Sequence, residues 1–152
     1  MSERATRAWV LAAALCALIV AFDQIAKAAV ETNIAPGEDV DLPGPAGLTL
    51  SYNQGIAFGL AGGGGAGLIL LGFAALALVG FVFSRDPSRP GIWVATGLVA
   101  GGAVGNLIDR VRAGRVTDYV DLPHWPPFNL ADAAIVIGVV LLGAILLKEK
   151  DG

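Results

Sequence analysis

Eight polar residues in this sequence stand where chemistry could be done: Asp23, Asn53, Asn106, Asp109, Arg110, Asp118, Asn129 and Asp132. Four are carboxylates, and nearly all lie inside or beside long apolar runs. A carboxylate in or near hydrocarbon costs several kcal/mol unless it is paired or neutralised, so such groups mark a functional site by default. Two carboxyls brought close together do not both ionise easily, so one keeps a proton while the other serves as base. A pair of that kind activates water against a carbonyl without a covalent intermediate. Other chemistries find less support. No His/Cys cluster has metal-ligand spacing, so neither a metal nor another cofactor is expected. Ser51 is the one candidate serine near the acidic residues, and no basic partner is close to it in sequence. Asp118 and Asp132 flank a proline-rich segment and should meet near one boundary, but spacing does not single them out from Asp23 and Asp109.

Each residue has a plainer reading too. Asp23 and Lys27 are four apart and suit a helix-stabilising pair. Asp109 stands next to Arg110 and is open to neutralisation there. Asp121, Glu38, Asp39 and Asp41 read as solvated loop residues, and His124 with Trp125 as interfacial residues.

The elements that must position these groups are membrane spans. Of 152 residues, 55% are hydrophobic and only 15% charged, with a mean hydropathy of +0.70; soluble domains carry about 25% charged residues. A net charge of −3 with no basic run excludes a nucleic-acid binder. One cysteine, Cys16, allows no intrachain disulfide framework. Apolar stretches over about 8–30, 61–83, 91–109 and 129–147 are each long enough to cross a bilayer. The first also fits a cleaved secretory leader, with Arg4 and Arg7 before it and Ala26-Lys27-Ala28 after it. The three further spans and Asp23 favour a retained helix.

The fold expected is an all-α membrane protein, a single domain over 1–152, with four transmembrane helices and both termini inside. Six Lys and Arg fall on the inner side (Arg4, Arg7, Arg85, Arg89, Lys148, Lys150) against four outside (Lys27, Arg110, Arg112, Arg115). Nine of the thirteen acidic residues fall in the outer half, which places the polar site there. A small extracytoplasmic β-platform is expected between helices 1 and 2, where Leu48, Leu50 and Tyr52 alternate with small or polar residues. Val116, Val120 and Leu122 are patterned like a further strand, and Pro123, Pro126 and Pro127 stiffen the re-entry into the last span. Gly97, Gly101 and Gly105 form one smooth stripe for close helix packing. Gly62 to Gly65 reads as a flexible entry to the second span.

Five segments resemble the lipoprotein signal peptidases, also called signal peptidase II. They are Asp23-Gln24-Ile25-Ala26-Lys27, Tyr52-Asn53-Gln54-Gly55-Ile56-Ala57-Phe58, Gly101 through Arg110, Val116-Thr117-Asp118-Tyr119 and Phe128-Asn129-Leu130-Ala131-Asp132, in the family's order and spacing. The resemblance implies that Asp118 and Asp132 are catalytic, that Asn53, Asn106, Arg110 and Asn129 line the site, and that Asp23, with Asp109, supports it. It implies an aspartic endopeptidase of the bacterial cytoplasmic membrane, with its site at the extracytoplasmic face. The substrate implied is a prolipoprotein cut on the N-terminal side of a diacylglyceryl-cysteine. Membrane lipid and globomycin-type inhibitors are the other partners implied, and a monomer is expected. Ala26 departs from the family's Ser or Thr, and Ala133 from its frequent Ser. Two competing readings are a small proton- or ion-coupled transporter and a non-catalytic membrane assembly factor. The transporter wants acidic residues through the bilayer depth, whereas the inner halves of all four spans are bare.

Overall fold

A computed structural model describes residues 2–55 and 64–148. Within it lie four helices: α1 (Glu3–Asn33), α2 (Gly64–Arg85), α3 (Ile92–Ala113) and α4 (Leu130–Leu147). All four are long and apolar enough to cross a membrane. The strands are β1 (Asp39–Asp41), β2 (Gly47–Asn53), β3 (Val116–Leu122) and β4 (Trp125–Phe128). The tail of the second motif, Ile56-Ala57-Phe58, lies outside the described residues, as do Gly62, Gly63 and Lys150.

Helix α1 begins at Ser2, whose hydroxyl accepts from the Ala5 amide at 3.2 Å. Its 31 residues outrun the expected 8–30 at both ends, because polar residues end an apolar count but not a helix. At 1.5 Å per residue, Asp23 stands about 30 Å along the axis from Glu3, roughly the thickness of a hydrocarbon core. Asp23 thus lies nearly three turns before the end of α1. The last turns of α1 project past that depth and pack Val30 and Ile34 against Leu50 and Tyr119 of the sheet. Helix α3 likewise continues past 109 to Ala113 and stops at Gly114, which takes the left-handed conformation that ends a helix.

The platform differs from the expectation in one respect. It is a four-stranded antiparallel sheet in the order β1-β2-β3-β4, so it draws on both connections at this end of the bundle and not only on the one between helices 1 and 2. Its central pairing sets Ser51 opposite Asp118 and Tyr52 opposite Thr117. The segment 125–128 is a strand, although Pro126 and Pro127 argue against one. It is tolerated because β4 is an edge and its ladder with β3 is irregular between Val120 and Leu122, pairing Trp125 and Phe128 but neither proline. Pro123 and His124 make the turn into it, with His124 at φ 66°. Asp121 belongs to β3 and is half-buried, not a solvated loop residue; Glu38, Asp39 and Asp41 are exposed as expected, but Asp39 and Asp41 form the ends of β1 and are not loop residues.

Helix α3 is the centre of the bundle and packs on all three others. Its glycine stripe is the contact with α1: a β-carbon at Gly101 would come within 2.7 Å of Ile19 Cβ, and one at Gly97 within 2.9 Å of Leu15 Cβ. Gly102, one position round the helix, meets the Ala131 carbonyl of α4 even more closely. The outward faces of α1, α2 and α4 expose Leu18, Phe22, Leu71, Phe73, Phe81, Val136 and Val140; in a spanning protein that surface meets lipid. Gly102→Ala should therefore displace the start of α4 and cost about 1–3 kcal/mol. Thermal unfolding in detergent should show this loss, while Gly72→Ala, whose β-carbon meets only Leu107 at 3.5 Å, stays near wild type.

Candidate active site

The polar site is assembled where α1, α3 and α4 meet the sheet. At its base is Lys27, 3% exposed. Its ammonium contacts Asp23 Oδ2 at 2.7 Å and Asp109 Oδ2 at 2.7 Å, and donates to Asn106 Oδ1 at 3.0 Å. Three donors meet three acceptors, which is the condition for burying an ammonium. The pairing of Asp23 with Lys27 read from their spacing is present, but it is one arm of a larger network. The pairing of Asp109 with Arg110 is not formed. Asp109 is held by Lys27, by Gln24 Nε2 at 2.9 Å and by the Thr117 amide at 3.3 Å. Arg110 instead donates to the Asn106 carbonyl at 3.4 Å.

The network extends to the two carboxylates at the top. Asp23 Oδ1 accepts from the Ala131 amide at 3.0 Å, so its negative charge sits on the N-terminus of α4, where a helix favours an anion. Gly105 makes this possible, because a side chain there would meet Asp23 Oδ2 at 2.7 Å. Asn129 caps α4 by accepting from the Asp132 amide at 2.9 Å, and Asp132 returns the bond by accepting from the Asn129 amide at 3.3 Å. This capping box fixes the backbone of Asp132. Asn106 Nδ2 donates to Asp132 Oδ1 at 2.7 Å, and Asn129 Nδ2 donates to Asp118 Oδ1 at 2.7 Å. Asn129 Nδ2 also reaches Asn106 Oδ1 at 3.1 Å. Two asparagines thus link Asp118 on β3 with Asp132 on α4.

Asp118 is buried, and its carboxyl is pushed up to about 6. Burial is the main cause and the charge of Asp132 the next. Hydrogen bonds from Asn53 and Asn129 and the charge of Lys27 pull the other way. Asn53 therefore belongs to the site, and its own carbonyl oxygen accepts from the Gly55 amide at 2.8 Å. Below about pH 6, Asp118 thus keeps its proton beside the carboxyl of Asp132.

Of the sequence candidates, Asp23, Asn53, Asn106, Asp109, Asp118, Asn129 and Asp132 are drawn into this one network, with Arg110 bound at its edge through a backbone carbonyl. Sequence reasoning missed Lys27 and Gln24 as members. The signal available was Lys27 itself: a lysine two turns before the end of an apolar helix needs more acceptors than one aspartate provides. It also missed an apolar cleft of about 320 Å³ beside Asp132, lined by Leu122, Trp125, Phe128, Ala133, Val136 and Ile137. His124 and Trp125 are exposed at the hairpin beside it. Among the described residues, no cluster of His, Cys, Asp or Glu is placed to hold a metal ion.

Residues 15–148 match the family Peptidase_A8, signal peptidase (SPase) II. A lipoprotein signal peptidase from Pelotomaculum thermopropionicum is 42% identical over 140 residues, covering 90% of this chain and 91% of that one. Another from Paraburkholderia phymatum is 39% identical over 143 residues, with 89% and 86% covered. Among solved structures, a bacterial membrane enzyme determined in meso at 1.9 Å superposes with a TM-score of 0.84 at 31% identity, covering 90% of this chain and 92% of that one.

Proposed function

The chain belongs to the signal peptidase II family of membrane peptidases, and from that premise we propose that Asp118 and Asp132 are its catalytic dyad. The observation that supports this most is the bridge of Asn106 and Asn129, which holds both carboxylates at one end of the bundle while Asp118 keeps its proton to about pH 6. The substrate is a prolipoprotein whose scissile bond precedes a diacylglyceryl-cysteine. Water attacks the peptide carbonyl, Asp132 takes the water proton, and Asp118 gives its proton to the carbonyl oxygen. The tetrahedral diol collapses as the C–N bond breaks. Asp132 returns a proton to the departing nitrogen, and the diol returns one to Asp118. The products are the leader's new carboxyl end and the lipidated cysteine's free amine.

The surroundings suit such a substrate. The cleft beside Asp132 is apolar on α4 (Ala133, Val136, Ile137) and on the hairpin (Leu122, Trp125, Phe128), so it takes acyl chain or apolar leader residues without exposing them to water. Asn53 and Arg110 supply donors for the extended peptide backbone. Globomycin-type peptides compete for this cleft. With the sheet-bearing end outside and both termini inside, the site lies at the extracytoplasmic face of the bacterial cytoplasmic membrane. The scissile bond then reaches the dyad without the lipid leaving the bilayer, and one chain suffices.

The test is cleavage of a synthetic peptide by the purified protein in lipid nanodiscs. A diacylglyceryl-cysteine peptide should be cut before the cysteine, and its unlipidated twin left intact. In ¹⁸O-water one heavy oxygen should enter the leader carboxylate. An uncut lipidated peptide, or a leader captured by an added amine, would refute the proposal.

The pH dependence follows from Asp118. Its folded value is raised from 3.8 to about 6, so the proton it must donate is present below that value and lost above it. In the free enzyme kcat/KM should fall about tenfold per pH unit beyond pH 6. Asn53→Ala removes a bond that favours the ionised carboxylate, so this alkaline limb should move to higher pH even as the rate drops.

A further inference from the structure

A second cavity of about 410 Å³ opens at the same end of the bundle, lined by none of Asp118, Asp132 and Asn129. Its walls are Ala28 and Glu31 of α1, Arg112 at the end of α3, and Tyr52, Arg115 and Thr117 of the sheet and its approach, with Lys27 and Asp109 at its floor. The acidic groups here are already engaged. Glu31 Oε1 accepts from the Thr117 hydroxyl at 2.6 Å, and Asp109 is held by Lys27 and Gln24. Lys27, in turn, is committed to Asp23, Asp109 and Asn106. The two guanidiniums are different. Among the described residues, neither Arg112 nor Arg115 has a carboxylate within salt-bridge distance. Arg115 is stacked 3.5 Å over the Tyr52 ring, which fixes its plane and leaves its N–H edges available.

A lipid-facing track leads to this cavity. Leu18, Phe22 and Ile25 are all exposed on α1. They are spaced four and three residues apart and form one stripe, whose upper end at Ile25 borders the rim of the cavity at Ala28, three residues on and about 60° round the helix. On α3, Ile108 stands one turn below Arg112. Arg112 is in the last turn of α3 and Arg115 lies just past its end. A helix of 22 residues spans about 33 Å, slightly more than a hydrocarbon core, so its end reaches the level of lipid phosphates.

We infer that this cavity binds the phosphate group of an anionic phospholipid between Arg112 and Arg115, with an acyl chain laid along Leu18, Phe22 and Ile25. Guanidinium groups pair with phosphate through parallel N–H bonds, and a zwitterionic headgroup brings an ammonium that these arginines repel. The bound lipid joins α1, α3 and the strand that carries Asp118. The inference holds whichever leaflet the sheet-bearing end faces, since phosphates line both.

The test uses the full chain in nanodiscs of phosphatidylcholine, with or without phosphatidylglycerol of the same acyl chains, and native mass spectrometry of the lipid it retains. Wild type should retain phosphatidylglycerol about tenfold more strongly than phosphatidylcholine. Arg112→Gln/Arg115→Gln should abolish that preference, and the exposed Arg112→Gln alone should weaken it if the double variant fails to fold. Arg4→Gln/Arg7→Gln, at the other end of the bundle, should keep it. Asp118→Asn should keep it too, which separates this lipid site from the proposed peptidase chemistry. Equal retention of the two lipids, or an unchanged preference in the arginine variants, would overturn the inference. So would millimolar inorganic phosphate displacing the lipid completely, which would mark a site for free anions.

Discussion

Asp118→Asn and Asp132→Asn are each expected to lower kcat on a lipidated peptide by about 10³-fold or more, since each removes one of the two proton carriers. Both variants should fold. Asparagine keeps the size of the side chain, and its carbonyl oxygen still accepts from Asn129 Nδ2 at position 118 or from Asn106 Nδ2 at position 132. The cost at 132 is the returning half of the capping box, in which the side chain accepts from the Asn129 amide. That amounts to about 1 kcal/mol, because an amide that keeps its oxygen toward Asn106 turns its nitrogen to that donor. Asp121→Asn is the control, on the same strand but outside the network, and should retain activity. Cleavage within a few-fold of wild type by either dyad variant, measured by product mass in the purified system, would refute the assignment of the pair.

The largest loss of stability is expected at Lys27. Replacing it with methionine fills the same space and leaves Asp23 and Asp109 buried without their cation. Breaking a buried pair from one side costs about 3–5 kcal/mol. Lys27→Met should thus unfold well below wild type in a detergent melt. Removing an acid as well, in Lys27→Met/Asp109→Asn, should recover part of the loss, because the remaining carboxylate of Asp23 still has the Ala131 amide, Gln24 Nε2 and the N-terminus of α4. Activity should not recover in parallel. Asp109 also accepts from the Thr117 amide, which sets the start of β3 and so the position of Asp118. A double variant no more stable than Lys27→Met would mean that the lysine acts by packing and not by charge.

Lys27 also shows where reading along the chain stops. Its partner at i−4 is visible in sequence because helix geometry is local. Asp109 and Asn106 are about eighty positions away, and nothing in spacing says which acid a lysine will meet. Arg110 illustrates the opposite error: adjacency suggested a pair with Asp109, but side chains next to each other on a helix point in directions 100° apart. The sheet was half legible. Alternation marked β2 and β3, whereas β4 was hidden by its two prolines, which are accommodated only because tertiary pairing makes that strand an edge with an irregular ladder to β3.

The sequence by itself determined four spanning helices, an acidic site at one end and the resemblance that points to Asp118 and Asp132. Hydrophobic length, the cost of buried charge and the order of short motifs are all properties of the chain read in one dimension. Only the tertiary structure decided that Lys27 is the hub of the site, that Asn106 and Asn129 join the two carboxyls, and that Asp23 seats the N-terminus of α4. It alone showed an apolar cleft beside Asp132 and a separate arginine-lined cavity. Those features depend on which helix faces which and at what depth. That is set by the close approach at Gly101, Gly102 and Gly105; the linear pattern marked a stripe for close packing but not which helix meets it.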